Sequence, residues 1–336
     1  MREHDLDRLP VTNRKNRRRR FDDDEPLHGR RHRRGGPAPA DLDGRTGVDI
    51  DGPPTGDRWS TWDGALHGPR PRPQWVITDH AAVDSELGVL KTGKEADVHL
   101  LERTVPDTGR SVLLAAKRYR SAEHRMFHRD AGYVEGRRVR RSRETRAMAR
   151  RTEFGRDLLA GQWAAAEFAA LARLWSDGVA VPYPVSLAGS ELLLEFVGSP
   201  DGSAAPRLAQ LRPDADRLAD LWRQLADALR GLARHGLTHG DLSAFNLLVD
   251  SPDGVSSRLV VIDLPQVVDV VGNPQGPAFL ARDVSRVADW FAARGLPAAA
   301  EAASTLVEEL CADLRIPRAS SSRTTSQARE GHTDRR

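Results

Sequence analysis

Apolar residues in this chain are gathered into a central stretch, and their spacing changes along it. From Trp75 onward, short β-branched and apolar runs at residues 87–90, 98–101 and 111–116 alternate with Gly and polar turns. They predict three strands of an antiparallel sheet, with residues 106–109 as the second turn. Residues 160–175 switch to a helical period: Trp163, Ala166, Ala170, Leu171 and Leu174 share one face, and Glu167 falls among them. A carboxylate at such a position either reaches solvent at the edge or meets a cation, because burying it unpaired costs several kcal/mol. Residues 191–197 resemble another strand and residues 198–206 a linker. Residues 213–234 then form an amphipathic helix with Leu218, Leu221, Trp222, Leu225, Leu229 and Leu232 on one stripe and Gly236 as its stop. Two apolar runs, 247–249 and 258–262, flank a turn at 251–254 and predict a hairpin. Residues 283–294 and 297–314 predict two closing helices.

The ends of the chain differ in kind. Residues 1–73 hold one Phe and two Trp and are rich in Pro and Gly from residue 35, and residues 317–336 are polar. Neither composition offsets the entropy of ordering, so both are expected to be disordered. The expected organisation is an arm at 1–73, an N-terminal lobe at 74–197 with a flexible Arg-rich insertion at 123–155, a C-terminal lobe at 198–316, and a tail at 317–336.

Charge adds little in sum and more in distribution. The 336 residues carry 51 basic and 48 acidic side chains, a net of +3. One Arg cluster lies at residues 14–20; another, at 137–151, holds eight Arg against one Glu. Each is either a solvated segment or a surface that tracks a phosphate backbone in RNA or a ribosomal subunit. The single cysteine, Cys311, rules out an internal disulfide and a thiolate metal cluster and fits a reducing compartment. The longest uncharged stretch, residues 178–190, has 13 residues and two prolines, too short for a bilayer. No membrane association is expected, residues 1–34 lack a secretory apolar region, and a cytoplasmic location is expected.

The chemistry gathers at strand ends. After the amphipathic helix comes His239-Gly240-Asp241-Leu242-Ser243-Ala244-Phe245-Asn246, and the second hairpin strand runs into Asp263. Magnesium takes one or two side-chain oxygens and fills its shell with phosphates and water, which Asn246 and Asp263 suit. Asp241, five residues before the amide, is placed to orient a hydroxyl nucleophile. An aligned nucleophile, a bridging cation and positive charge on the phosphates are what phosphoryl transfer needs. Lys117, at the end of the third strand, would neutralise phosphates, with Glu167 as its partner. Gly88 and Gly93, with Thr92, Lys94 and Glu95, form either an ordinary hairpin or a loop whose N–H groups approach phosphate.

Together these segments resemble the RIO-type atypical serine/threonine protein kinases, the first subfamily more than the second. The resemblance rests on Thr92-Gly93-Lys94-Glu95-Ala96-Asp97-Val98, Ala116-Lys117-Arg118-Tyr119, Tyr133 to Arg141 before the helix, Trp163 to Phe168, His239 to Asn246, Ile262-Asp263-Leu264-Pro265-Gln266 and Phe279-Leu280-Ala281-Arg282-Asp283. Lys91 stands where the family usually has Ser, and Ala244 where it commonly has Glu. The resemblance implies an α+β, two-lobed protein-kinase-like fold: an antiparallel N-lobe sheet and a mainly helical C-lobe without the activation segment and peptide-binding helices. It implies use of ATP with Mg2+, Mn2+ being able to substitute, and transfer of the γ-phosphate to Ser/Thr of an unidentified protein or to the enzyme itself. It also implies ATP hydrolysis through a phosphate carried on Asp263, and a role with the small ribosomal subunit. Glu195 to Val197 would meet the adenine edge. Two other readings are a small-molecule phosphotransferase of the aminoglycoside or choline kinase type, which also uses a His-Gly-Asp loop, and an RNA-associated nucleotide-binding scaffold.

Overall fold

Three ten-residue strands, β3 (Val83–Thr92), β4 (Ala96–Val105) and β5 (Arg110–Tyr119), form the meander on which the N-terminal half is built. They belong to a computed structural model that describes residues 52–53, 55–120, 153–251, 256–265 and 267–314. All of these lie within one compact unit, Ile50–Arg336. The strands outrun the apolar runs that announce them because ladder bonding continues where polar side chains find partners. Arg103 on β4 makes a two-pronged bond to Asp84 on β3, at 2.7 and 2.9 Å, with both side chains sealed from solvent. Such a fork satisfies both carboxylate oxygens, the condition for burying the charge.

The remaining strands complete a seven-stranded sheet in the order β1-β3-β4-β5-β7-β6-β2. β7 (Glu191–Glu195) pairs antiparallel with both β5 and β6 (Pro184–Ala188). β6 lies in the uncharged 178–190 stretch, where the sequence pattern predicts no strand. Its residues are nearly all buried, so the alternation that identifies a half-exposed strand is missing.

The edge strands correct the expectation that residues 1–73 are an arm. β1 (Arg58–Trp59) pairs with β3, and β2 (Leu66–His67) pairs with β6. Between them Trp62 is buried, stacks on His67 at 3.9 Å and lies under the Arg72 guanidinium at 5.1 Å. One tryptophan in a protein pocket offsets the ordering of a short segment whose average composition is unfavourable. Residues 1–51 lie outside the described residues, as do most of the 123–155 insertion and the 317–336 tail.

Helix α1 (Glu153–Ser176) crosses the sheet and starts earlier than its apolar face predicts, so residues 153–155 are helical and not part of an insertion. Helix α2 (Ala215–Arg234) is capped by Asp214, whose side chain accepts from the Arg217 N–H at 2.9 Å, and buries the predicted leucine stripe. It stops at Gly236, whose φ of 73° is the left-handed turn that glycine adopts without strain. After it come β8 (Leu237–Thr238), the β9 (Leu247–Asp250) and β10 (Arg258–Val261) hairpin, β11 (Val268–Asp269), and helices α3 (Gly276–Ala293) and α4 (Pro297–Leu314). β8 pairs with β11 and β9 with β10. Helix α3 begins seven residues before its predicted start, with a proline in its first turn where the missing N–H is harmless. The result is α+β and two-lobed, a sheet with one helix followed by a mainly helical half. Among the described residues no helix is long and apolar enough to cross a membrane.

Candidate functional site

Lys117, Glu167 and Asp263 come from three separate elements and meet at one nitrogen. Lys117 Nζ lies 2.8 Å from Glu167 Oε1 and 2.7 Å from Asp263 Oδ1. Burial opposes the charge on Lys117, but the two carboxylates outweigh it and raise its pKa above the ordinary lysine value.

Glu167 is only 1% exposed, and its burial is accounted for by three donors. Besides Lys117, its Oε1 accepts the Leu264 N–H at 2.9 Å, and its Oε2 accepts the Tyr119 hydroxyl. Burial and the Glu167 charge push the Tyr119 phenol far up, so it stays a donor. The Tyr119 contact is one that sequence reasoning missed; its signal was a tyrosine two residues after the lysine, on the same strand face. Through Leu264, α1 is tied directly to the segment carrying Asp263.

Asp263 has a φ of 67°, in the left-handed region that costs a non-glycine residue about 1–2 kcal/mol. The turn is held by its neighbours: the Ile262 N–H donates to the Asn246 carbonyl at 3.0 Å, and the Ile262 carbonyl accepts from His239 Nε2 at 3.0 Å. Desolvation works against the ionised carboxyl, yet Lys117, Lys91 and His239 together hold its pKa below the usual aspartate range.

The 239–246 loop is wired into the same turn. Asn246 Nδ2 donates to the Asp241 carbonyl at 3.0 Å, which leaves its side-chain oxygen as the atom suited to a hard cation. Asp283 on α3 is fully buried and accepts from Thr238 Oγ1 at 2.8 Å, from the Gly240 N–H at 2.6 Å and from the Leu242 N–H at 3.2 Å. Arg282 donates to the Gly240 carbonyl, and Arg286 Nη1 lies 2.9 Å from Asp241 Oδ1. Among the described residues no group of three or more His, Cys, Asp or Glu forms a closed metal cage. One amide and one carboxylate oxygen fit a cation that completes its shell with phosphate and water.

The β3–β4 turn carries Thr92, Gly93, Lys94 and Glu95. The Gly93 N–H donates to the Ala96 carbonyl at 3.0 Å, and a Cβ at Gly93 would stand 2.8 Å from that same oxygen, so the turn requires glycine. Thr92 hydrogen-bonds Asp97, and Lys94 is exposed at the tip. Lys91, a departure from the family pattern, borders this turn. It is half-buried, with the charges of Arg207, Asp263, Lys117 and Glu95 all acting on it. Desolvation, aided by Arg207, lowers its pKa against the pull of Asp263. Two irregularities in the β3 register, between Glu86 and Gly88 and between Val89 and Lys91, re-aim this end of the strand. Period-two reading cannot anticipate such a change.

Glu195 and Val197 sit at the junction of the lobes. The Glu195 N–H donates to the Tyr183 carbonyl at 2.8 Å, and its carboxylate accepts from the Tyr183 N–H and from Arg258, both at 3.0 Å. The Val197 carbonyl accepts from Ala205 at 2.9 Å, and its side chain packs with Ala205 and Val260.

A two-lobed α+β fold with this lysine, glutamate and strand-end acids is protein-kinase-like. The family model described as "RIO domain" matches residues 113–304, and the chain belongs to that family. The match includes Lys117, Glu167, Asp241, Asn246 and Asp263 and begins after the Thr92–Glu95 turn. The chain is 40% identical over 136 residues to a RIO-type serine/threonine-protein kinase Rio1 of Haloferax volcanii, covering 40% of this chain and 44% of that protein. It is 32% identical over 211 residues to the serine/threonine-protein kinase RIO1 of Caenorhabditis elegans, covering 62% and 38%. The chain thus spans less than half the length of these two relatives. It is also similar to the Rio2 kinase of Chaetomium thermophilum solved as an ADP/Mg2+-phosphoaspartate complex, at 21% identity and a TM-score of 0.47, over 68% of this chain and 69% of that one.

Proposed function

We propose that this chain is an ATP- and magnesium-dependent RIO-type serine/threonine protein kinase or ATPase, working in the cytoplasm. The observation that carries the reading is the Lys117 ammonium held between Glu167 and Asp263, at 2.8 and 2.7 Å, beside a loop presenting Asp241 and Asn246. Lys117, steadied by Glu167, neutralises the α- and β-phosphates, and Lys91 adds a second positive charge. Asn246 and Asp263 hold the cation, Mg2+ or in its place Mn2+, which when bound neutralises charge on the phosphates. Asp241 orients the acceptor hydroxyl or water and takes its proton. Val197 offers its N–H to the base edge, as that group meets no backbone acceptor among the described residues. The Thr92–Glu95 turn closes over the phosphates. The accepting group is a Ser or Thr of a protein, Asp263 itself, or water. The Arg-rich segments at 14–20 and 137–151, outside the described residues, would give contact with RNA or a ribosomal subunit.

Purified protein given γ-labelled ATP and magnesium should label itself or release phosphate. Asp241→Asn should slow this about 10²–10⁴-fold while nucleotide binding stays nearly intact. A wild type that binds ATP but turns over no faster than Asp241→Asn would overturn the reading. The acid and base stability of the label identifies the acceptor, because an acyl phosphate is lost under conditions that a phosphoserine survives.

A further inference from the structure

Helix α3 grips the loop carrying Asp241 with three side chains close together on it. Arg282 binds the Gly240 carbonyl, Asp283 binds the N–H groups of Gly240 and Leu242, and Arg286 binds the Asp241 carboxylate. Arg282 and Arg286 are four residues apart and therefore on one face of the helix. The first two side chains hold main chain, and Asp283 is fully buried, so the loop needs them simply to fold. Arg286 is different. Its contact is side chain to side chain, and the two groups are 47% and 45% exposed, a setting in which an ion pair adds little to stability.

An aspartate carboxylate at a site mouth otherwise turns about two bonds. Tying Oδ1 to Arg286 Nη1 at 2.9 Å favours one arrangement and leaves Oδ2 outside that bond. We propose that Arg286 is a positioning residue for phosphoryl transfer, fixing Asp241 through Oδ1 so that Oδ2 receives the acceptor's proton. In that step, with a Ser or Thr hydroxyl or water as acceptor, the acceptor O–P bond forms, the bond from the γ-phosphorus to ADP breaks, and the acceptor proton passes to Asp241. The inference rests on the reading of Asp241 given above. The guanidinium makes a single bond here and not a fork, so a lysine at this position can replace it in part.

Steady-state and single-turnover rates with γ-labelled ATP, on the full chain, test it. Arg286→Ala should lower kcat about 2- to 5-fold, the most that an exposed ion pair can bias the Asp241 side chain, with the KM for ATP unchanged. Arg286→Lys should recover most of that loss. Arg286→Ala added to Asp241→Asn should slow the residual rate no further, since a residue acting only through Asp241 has nothing left to position. Losses that multiply in the double variant, or a kcat that is unchanged or raised in Arg286→Ala, would overturn the proposal while leaving the kinase reading in place. A wild type without turnover would overturn both.

Discussion

The Lys117 ammonium and the Asp263 carboxylate are 2.7 Å apart although 146 positions separate them in the chain. The same ammonium holds buried Glu167, so the pair couples helix α1, strand β5 and the strand-end acid through one charge. Lys117→Ala should therefore unfold more easily by about 3–5 kcal/mol, the cost of leaving a buried carboxylate without its cation, and should also lose nucleotide binding. Glu167→Gln keeps shape and removes the charge, so its destabilisation should be smaller. Urea denaturation of the two variants, at equal slope, measures the difference.

Lys91 is a cation set near Lys117 and Arg207 with Asp263 facing the group. Like charges kept together in a cleft are offset when an anion arrives. Lys91→Ala should raise the KM for ATP about 3- to 10-fold and leave kcat within about twofold, the signature of ground-state binding. Binding should also become less sensitive to salt. A kcat effect with unchanged KM would place Lys91 elsewhere in the reaction.

Asp283 accepts three hydrogen bonds while fully buried. Asp283→Ala would strand the Gly240 and Leu242 N–H groups and the Thr238 hydroxyl, at about 1–3 kcal/mol for each group left unsatisfied. Amide exchange at 240 and 242 should speed up before the rest of the C-terminal half does, and turnover should fall with it. Equal acceleration across the whole half would show that Asp283 supports the fold in general and not this loop.

Glu191 on β7 accepts from Arg58 Nη2 and Arg118 Nε, both at 2.7 Å. Burial would raise its pKa, but the two guanidinium bonds prevail and lower it. A carboxyl depressed on folding contributes stability that is complete above its unfolded pKa, about 4.3, and is lost as pH falls through the folded value. The Tm of the wild type should hold down to about pH 5 and then drop. The gap between wild type and Glu191→Gln should close over that acid range. A gap of constant size from pH 7 to pH 3 would contradict the depressed pKa.

Trp62 anchors the segment that supplies β1 and β2. Trp62→Ala should cost about 3 kcal/mol and release the β1 pairing with β3, making the peptide bonds near residues 58–67 open to limited proteolysis. Nucleotide affinity should change little, because the segment sits at the sheet edges, away from Lys117.

What the chain announces by itself is whatever depends on local period and short spacing. The leucine stripe of α2, the meander, the 247–262 hairpin and the strand-end residues Asp241, Asn246 and Asp263 are of that kind, because adjacent positions dictate them. An acid at Glu167 on an apolar face also signals a partner, since a lone buried charge is too costly to keep. Tertiary structure decided what depends on distant neighbours. β6 is nearly all buried and lacks alternation; Trp62 orders a segment whose composition argues against order; bulges in β3 re-aim Lys91 and leave Thr92 to Asp97. The grip of Arg282, Asp283 and Arg286 on the 239–246 loop is likewise invisible until α3 packs there. Pairing energies over long sequence separations have no local pattern, and only the folded chain brings their two halves within reach.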